Sequence, residues 1–223
     1  MQATNRRKFI RQVAAVTGGV VLAPIAISCG GRAKTRGEVG GSDSSEIPLS
    51  IPSGWDPIAF NRDRGNEGAI PNSYLDDING PEGRNKHLGK HLPFIPEVES
   101  AKIPAGFIPL MWGDAAKGFA RHPNAPQAAD QYAMGHWYNW VNVRKATDGE
   151  AEEMLSEFSN WPSTAEGDTG QFLAAGDQEI TEDSGKNTIY LVALPKDVEK
   201  GDWIRIHGHC LYHGEYVDFI QVS

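Results

Sequence analysis

The sequence predicts an all-β protein built as an antiparallel β-sandwich. Two observations carry this. From residue 87 onward, short runs rich in β-branched and aromatic residues recur between Gly, Pro, Asn and Asp turn signals, and they do not alternate with long helical patterns as β-α-β units would. One of them, Asp202 to Cys210, alternates strictly, with Ile204, Ile206, Gly208 and Cys210 on one face and Trp203, Arg205, His207 and His209 on the other. The inward face therefore ends at a thiol. The other runs are Gly106 to Trp112, Trp137 to Val143, Asn187 to Leu194 and Tyr216 to Val222. One segment departs from this texture. Ala151, Met154, Leu155 and Phe158 recur at helical spacing, with Glu150, Glu152 and Glu153 at the start, which predicts a short inserted helix over 150–158. Trp161 to Ser184 reads as a long loop.

The chain ahead of the sandwich divides in three. Residues 1–28 carry Arg6-Arg7-Lys8-Phe9-Ile10-Arg11 and then an apolar run weakened by Gly18, Gly19 and Pro24, too short and too broken for a spanning helix. The paired arginines resemble a twin-arginine export signal, which implies a periplasmic or cell-envelope location. Ala26-Ile-Ser-Cys29 resembles a bacterial lipobox, so Cys29 is expected to carry a lipid anchor to a membrane. Residues 29–55 are rich in Gly, Ser and charge and read as a flexible tether. Residues 56–86 read as an irregular wrap against the domain, anchored by Ile58, Phe60, Ile70, Tyr74 and Leu75. The sandwich is expected to occupy 87–223.

Charge excludes one class of partner. The formal net charge is -8, and residues 1–28 hold four cations and no acid, so the remainder is more acidic still. Such a surface repels nucleic acid. Of two cysteines, one lies at the export segment, which leaves Cys210 without a disulfide partner and points to metal ligation or reactivity.

All seven histidines lie between 87 and 213, in four places: His87 and His91, His122, His136, and the stretch of His207, His209 and His213 around Cys210. A thiolate and imidazoles together are donors for a transition metal. Cys210 and His213 are spaced as Cys-x-x-His, and Gly214 lets the chain turn so that the imidazole folds back toward the sulfur. His207 and His209 point away from the thiol on a regular strand and are expected on the other face.

The order Lys90-His91-Leu-Pro93, His122-Pro-Asn124, His136 with Trp140-Val141, and Cys210-Leu-Tyr-His213-Gly-Glu-Tyr216 resembles the superoxide reductase family of neelaredoxin and desulfoferrodoxin. The likeness covers roughly 87–143 and 187–222 and is silent on the first 86 residues. It implies an immunoglobulin-like sandwich and a mononuclear non-haem iron, ferrous or ferric, held by His91, His122, His136, His213 and Cys210. It also implies that Lys90 attracts superoxide and orders a proton-delivering water. His87, which lacks the following Leu-Pro, is placed outside the ligand set. Three departures stand out. Gly89 replaces the glutamate usual before the Lys-His pair, an insertion runs through Gln127 to Met134, and no four-cysteine iron domain precedes the sandwich, so the resemblance is to the one-iron class.

The implied activity is one-electron reduction of superoxide to hydrogen peroxide, with an electron donor that the sequence does not name and a homo-oligomeric state left open. Two other classes remain at this level. One is a non-catalytic iron sensor, or a subunit of an exported redox complex, on the same fold. The other is a cupredoxin-like copper electron carrier, whose usual two histidines, cysteine and axial methionine leave the surplus histidines unexplained. A Rieske-like centre lacks its first Cys-x-His half.

Overall fold

A computed structural model describes residues 46–125, 135–159, 171–176 and 179–223. The export segment, Cys29, the tether up to residue 45, the Gln127 to Met134 insertion and 161–170 of the expected loop lie outside the described residues. The described strands are β1 (Pro93–Phe94), β2 (Phe107–Trp112), β3 (Tyr138–Lys145), β4 (Glu153–Glu157), β5 (Phe172–Ala174), β6 (Thr188–Ala193), β7 (Trp203–Cys210) and β8 (Gly214–Gln221). They form two antiparallel four-stranded sheets, ordered β1-β2-β6-β5 and β4-β3-β7-β8. The fold is an all-β sandwich.

Alternation puts the core between the sheets. Ile204, Ile206 and Cys210 of β7 are buried, as are Val141 and Val143 of β3 and Leu110, Tyr190 and Val192 from the facing sheet. Trp112 of β2 stacks on Tyr138 of β3 with ring centroids 4.0 Å apart, joining the two layers. The β3–β7 register shifts between Tyr138 and Trp140, so Asn139 is a bulge residue. That extra residue turns Tyr138 to the same side as Val141, where regular alternation would have aimed it outward. Gly208 makes room for it: a Cβ there would stand 2.9 Å from the Tyr138 ring.

The expected helix over 150–158 is not formed. Residues 153–157 pair with β3 from Trp140↔Glu157 to Arg144↔Glu153 instead. A helix this short is marginal alone, whereas the edge of β3 offers a row of backbone donors and acceptors that must be satisfied. Ser156 also ties the layers together, its Oγ accepting from the Ala193 amide at 2.9 Å. The expected long loop is interrupted in its turn by β5.

Residues 56–86 are more regular than an irregular wrap. They form α1 (Pro57–Arg64) and α2 (Leu75–Asn79), joined by short turns. Asp56 caps α1 by accepting from the amides of Ile58 and Ala59, and Pro57 starts it. Buried Asn61 then imitates a neighbouring strand: its amide donates to Val217 O at 2.7 Å and its Oδ1 accepts from Val217 N at 2.8 Å. This covers β8, which otherwise ends its sheet as an open edge. Among the described residues, no helix is long and apolar enough to cross a membrane.

Asp218 of β8 joins this seam. Its carboxylate accepts from Trp55 Nε1 at 2.9 Å, but burial dominates and pushes its pKa up from 3.8 to about 6. The folded state therefore holds a proton more tightly than the unfolded chain, and stability falls as pH rises from about 4 through about 6. Asp218→Asn keeps the acceptor and removes the charge. Thermal unfolding from pH 4 to 7 is expected to show its midpoint flattened relative to the parent, with a gain approaching about 3 kcal/mol above pH 6. A parallel fall in both proteins would refute the assignment.

Candidate metal centre

Four segments deliver five donors to one place. Cys210 ends β7 on its inward face. The chain turns through Leu211 to His213, and Gly214, at φ +85°, re-enters the ladder opposite Cys210. That tight return folds the His213 ring back, with Nδ1 3.8 Å from the sulfur. His91 closes the 3-10 turn Gly89–His91 just before β1. His122 follows β2, its amide donating to Trp112 O at 3.2 Å. His136 precedes β3, and its backbone exchanges two hydrogen bonds with Ala125, which joins the His122 loop to the His136 strand.

Together the rings of His91, His122, His136 and His213 form a closed circuit. Successive centroids lie 4.9, 4.4, 4.5 and 4.9 Å apart, with interplanar angles of 69°, 63°, 76° and 74°. The ligand atoms of these four and Cys210 all lie within 4.8 Å of one another, and every one of the five side chains is buried. All the ligand residues expected from sequence are thus brought together.

Burial sets their chemistry. Desolvation, with neighbouring imidazoles and Lys90 adding to it, holds His91 and His122 well below the ordinary histidine pKa. It lowers His136 to about 3 and His213 further. These rings are neutral at pH 7 and carry lone pairs. The Nδ1 of His91 donates to His87 O at 2.6 Å, which leaves Nε2 as its lone-pair atom, 3.1 Å from His213 Nδ1. Burial pushes the Cys210 thiol up to about 12, against the pull of the Tyr212 and His213 backbone amides on the sulfur.

The residues fit a transition metal. Neither ring nitrogen of buried His122 has a well-formed hydrogen bond among the described residues, Asn124 interacting only weakly, and a lone pair left bare there costs ~1–3 kcal/mol unless a ligand takes it. Four neutral imidazoles and one desolvated sulfur are donors that an ion satisfies at once, displacing the thiol proton.

A comparison with protein-family models finds no match, and no curated protein matches. Among solved structures, the chain is similar to two superoxide reductases (neelaredoxins). One, from Archaeoglobus fulgidus in the reduced form, aligns at 18% identity and TM-score 0.31, over 60% of this chain and 90% of its own. The other, from Ignicoccus hospitalis, aligns at 14% identity and TM-score 0.29, over 70% and 90%.

The other singled-out residues sort clearly. Half-buried Lys90 points its Nζ over the Tyr74 ring, 5.2 Å from the centroid, and has no ion-pair partner among the described residues. It directly precedes His91 in the same turn, and its charge adds to the forces that disfavour protonation of all five donors. Gly89 is walled in, because a Cβ there would stand 2.3 Å from Phe119. His87 stays outside the cluster and supports it through its carbonyl. His207 and His209 lie on the far face, bonded to Glu215 and Asn139 at 2.9 and 2.6 Å.

Sequence reasoning missed a polar clamp. Tyr190 of β6 donates its hydroxyl to Asn124 Oδ1 at 2.6 Å, while Asn124 Nδ2 donates to Gly185 O at 3.0 Å and to His122 O at 3.2 Å. The Asn124 amide donates to Ser184 O at 2.9 Å. The receiving turn holds Asp183 and Ser184 at φ +45° and +57°, a left-handed conformation costly for non-glycine residues. Asn124 in the His-Pro-Asn motif was the visible half of this clamp; nothing in the sequence paired it with Tyr190.

Asn124→Ala removes both side-chain donors and the acceptor that hold the His122 loop. A loss of roughly 1–3 kcal/mol in urea unfolding is expected, with metal affinity down about 10- to 100-fold in chelator competition. Unchanged metal affinity would mean that His122 is positioned without Asn124.

Proposed function

We propose that this chain is a superoxide reductase, with a mononuclear iron held by His91, His122, His136, His213 and Cys210. The observation that carries this is the closed ring of four buried imidazoles with one buried sulfur against it. A copper carrier of the cupredoxin type uses two imidazoles and would leave two buried histidines unsatisfied. When bound, the iron supplies one electron and passes from ferrous to ferric, so that superoxide takes up that electron and two protons to give hydrogen peroxide.

The chain's own groups do the rest. The cation of Lys90 attracts the superoxide anion into a site whose surroundings are acidic overall, and this local field opposes the repulsion of the distant carboxylates. Lys90 then orders the water that brings protons to the reduced oxygen pair. Burial of Cys210 keeps bulk water from competing for the donors, and its thiolate would be a strong electron donor to a bound ion. With Gly89 in place of a glutamate, that position has no carboxylate to approach the centre. An electron donor must restore the ferrous state after each turnover. Export by the twin-arginine signal and anchoring at Cys29 would put this activity in the cell envelope, on the residues that suggest it rather than on the fold.

Metal analysis of the isolated protein is expected to give one iron per chain, lost in Cys210→Ser. Stopped-flow mixing of the ferrous protein with superoxide should give stoichiometric hydrogen peroxide without dioxygen. Lys90→Ala should slow that reaction by about tenfold or more, with a changed salt dependence. Copper in place of iron supports the carrier, and iron that does not react with superoxide supports a sensor.

A further inference from the structure

The segment ahead of the sandwich reaches the centre through one side chain. Tyr74 closes the turn Asn72–Tyr74 and is 6% exposed. Its ring stacks on His213 with centroids 3.9 Å apart and an interplanar angle of 29°. The Lys90 ammonium sits over the same ring. Its hydroxyl lies 2.9 Å from His87 Nδ1, and the carbonyl of His87 is the acceptor for His91 Nδ1. One phenol therefore touches or supports two donors and the nearby cation.

Both sides are shaped for this approach. Gly214 follows His213, and a Cβ on it would stand 2.3 Å from Ala69 O and 3.0 Å from Ile70 Cα. The hairpin and the segment thus meet at backbone distance, and Tyr74 follows within the next turn.

We infer that Tyr74 is a positioning residue, whose ring holds the Lys90 ammonium beside the donor cluster and braces the His213 imidazole. A lysine has a long flexible stem and a strongly hydrated head, so something must hold it at a half-buried position. The Asp77 carboxylate pulls on this cation without forming an ion pair with it, and a paired carboxylate would cancel the positive field that an anion feels. An aromatic face attracts the cation and leaves its charge intact. The segment before the sandwich thereby becomes part of the site, where the family likeness is silent. The substrate in this inference rests on the superoxide reductase reading; the placement of Lys90 does not.

The test uses Tyr74→Phe, Tyr74→Leu, Lys90→Ala and the double variant Tyr74→Leu with Lys90→Ala, each checked for cooperative thermal unfolding. If Tyr74→Leu fails that check, Tyr74→Met, of similar reach and without a ring face, replaces it. In the metal-free protein, acetic anhydride labelling read by peptide mass spectrometry gives the rate of Lys90 in the parent, with exposed Lys117 as the internal reference in every variant. The ratio of the two rates is expected to persist in Tyr74→Phe and to rise about tenfold in Tyr74→Leu. In the iron-loaded protein the rate with superoxide should fall by a similar factor in Tyr74→Leu and little in Tyr74→Phe, and the double variant should be no slower than Lys90→Ala. Unchanged labelling of Lys90 in Tyr74→Leu, or single losses that multiply in the double variant, overturns the inference. Should the iron-loaded parent not react with superoxide, the proposed function fails while the labelling result still decides the role of Tyr74.

Discussion

Burial of an imidazole disfavours its cation and burial of a thiol disfavours its anion, so five such groups withdrawn from water together become five neutral donors with no counter-charge. Neutral donors have little attraction for one another. They meet only because the backbone around them is fixed, and each fixing device in this protein can be traced to that need. The hairpin return at Gly214 presents His213 to the sulfur, and the exchange between Ala125 and His136 closes the opposite side.

The bulge at Asn139 shows how a local irregularity serves this arrangement. It turns Tyr138 inward, where the ring fills the space left by Gly208 and stacks on Trp112. From there the phenol donates to His91 O at 2.8 Å, and Tyr216 stacks on the same histidine with centroids 4.0 Å apart and planes 5° from parallel. His91 is thus held by its carbonyl, its Nδ1 and its ring face, and one lone pair is left for a ligand. A single extra residue in one strand links the sandwich core to the orientation of a donor.

What the sequence revealed and what it hid follow from the range of the interactions. The alternation of Ile204, Ile206, Gly208 and Cys210 is a local property of the chain, and it placed the thiol on the buried face in advance. Cys210 and His213 were legible as a compact Cys-x-x-His-Gly motif, whereas His91, His122 and His136 joined them through the family resemblance. Residues 153–157 were misread because Met154 and Leu155 suit a helix as well as a strand, and only the distant edge of β3 decides between them. The polar contacts of Tyr74, which the sequence offered only as an apolar anchor, and those of Tyr190 were hidden for the same reason. Their contacts are made with residues far along the chain, and neither sits in a pattern that marks a polar partner.

Gly89 and Phe119 carry a consequence for the history of the site. No side chain can be placed at residue 89 while the ring of Phe119 stands 2.3 Å from where its first carbon would be. With an aromatic ring packed against it, this glycine cannot be exchanged for another residue by one replacement alone. The ring must shrink and the Arg84 carbonyl, 2.8 Å from the same point, must give way as well. Packing then works as a ratchet, setting the order in which neighbouring positions change whatever the catalytic merit of either residue.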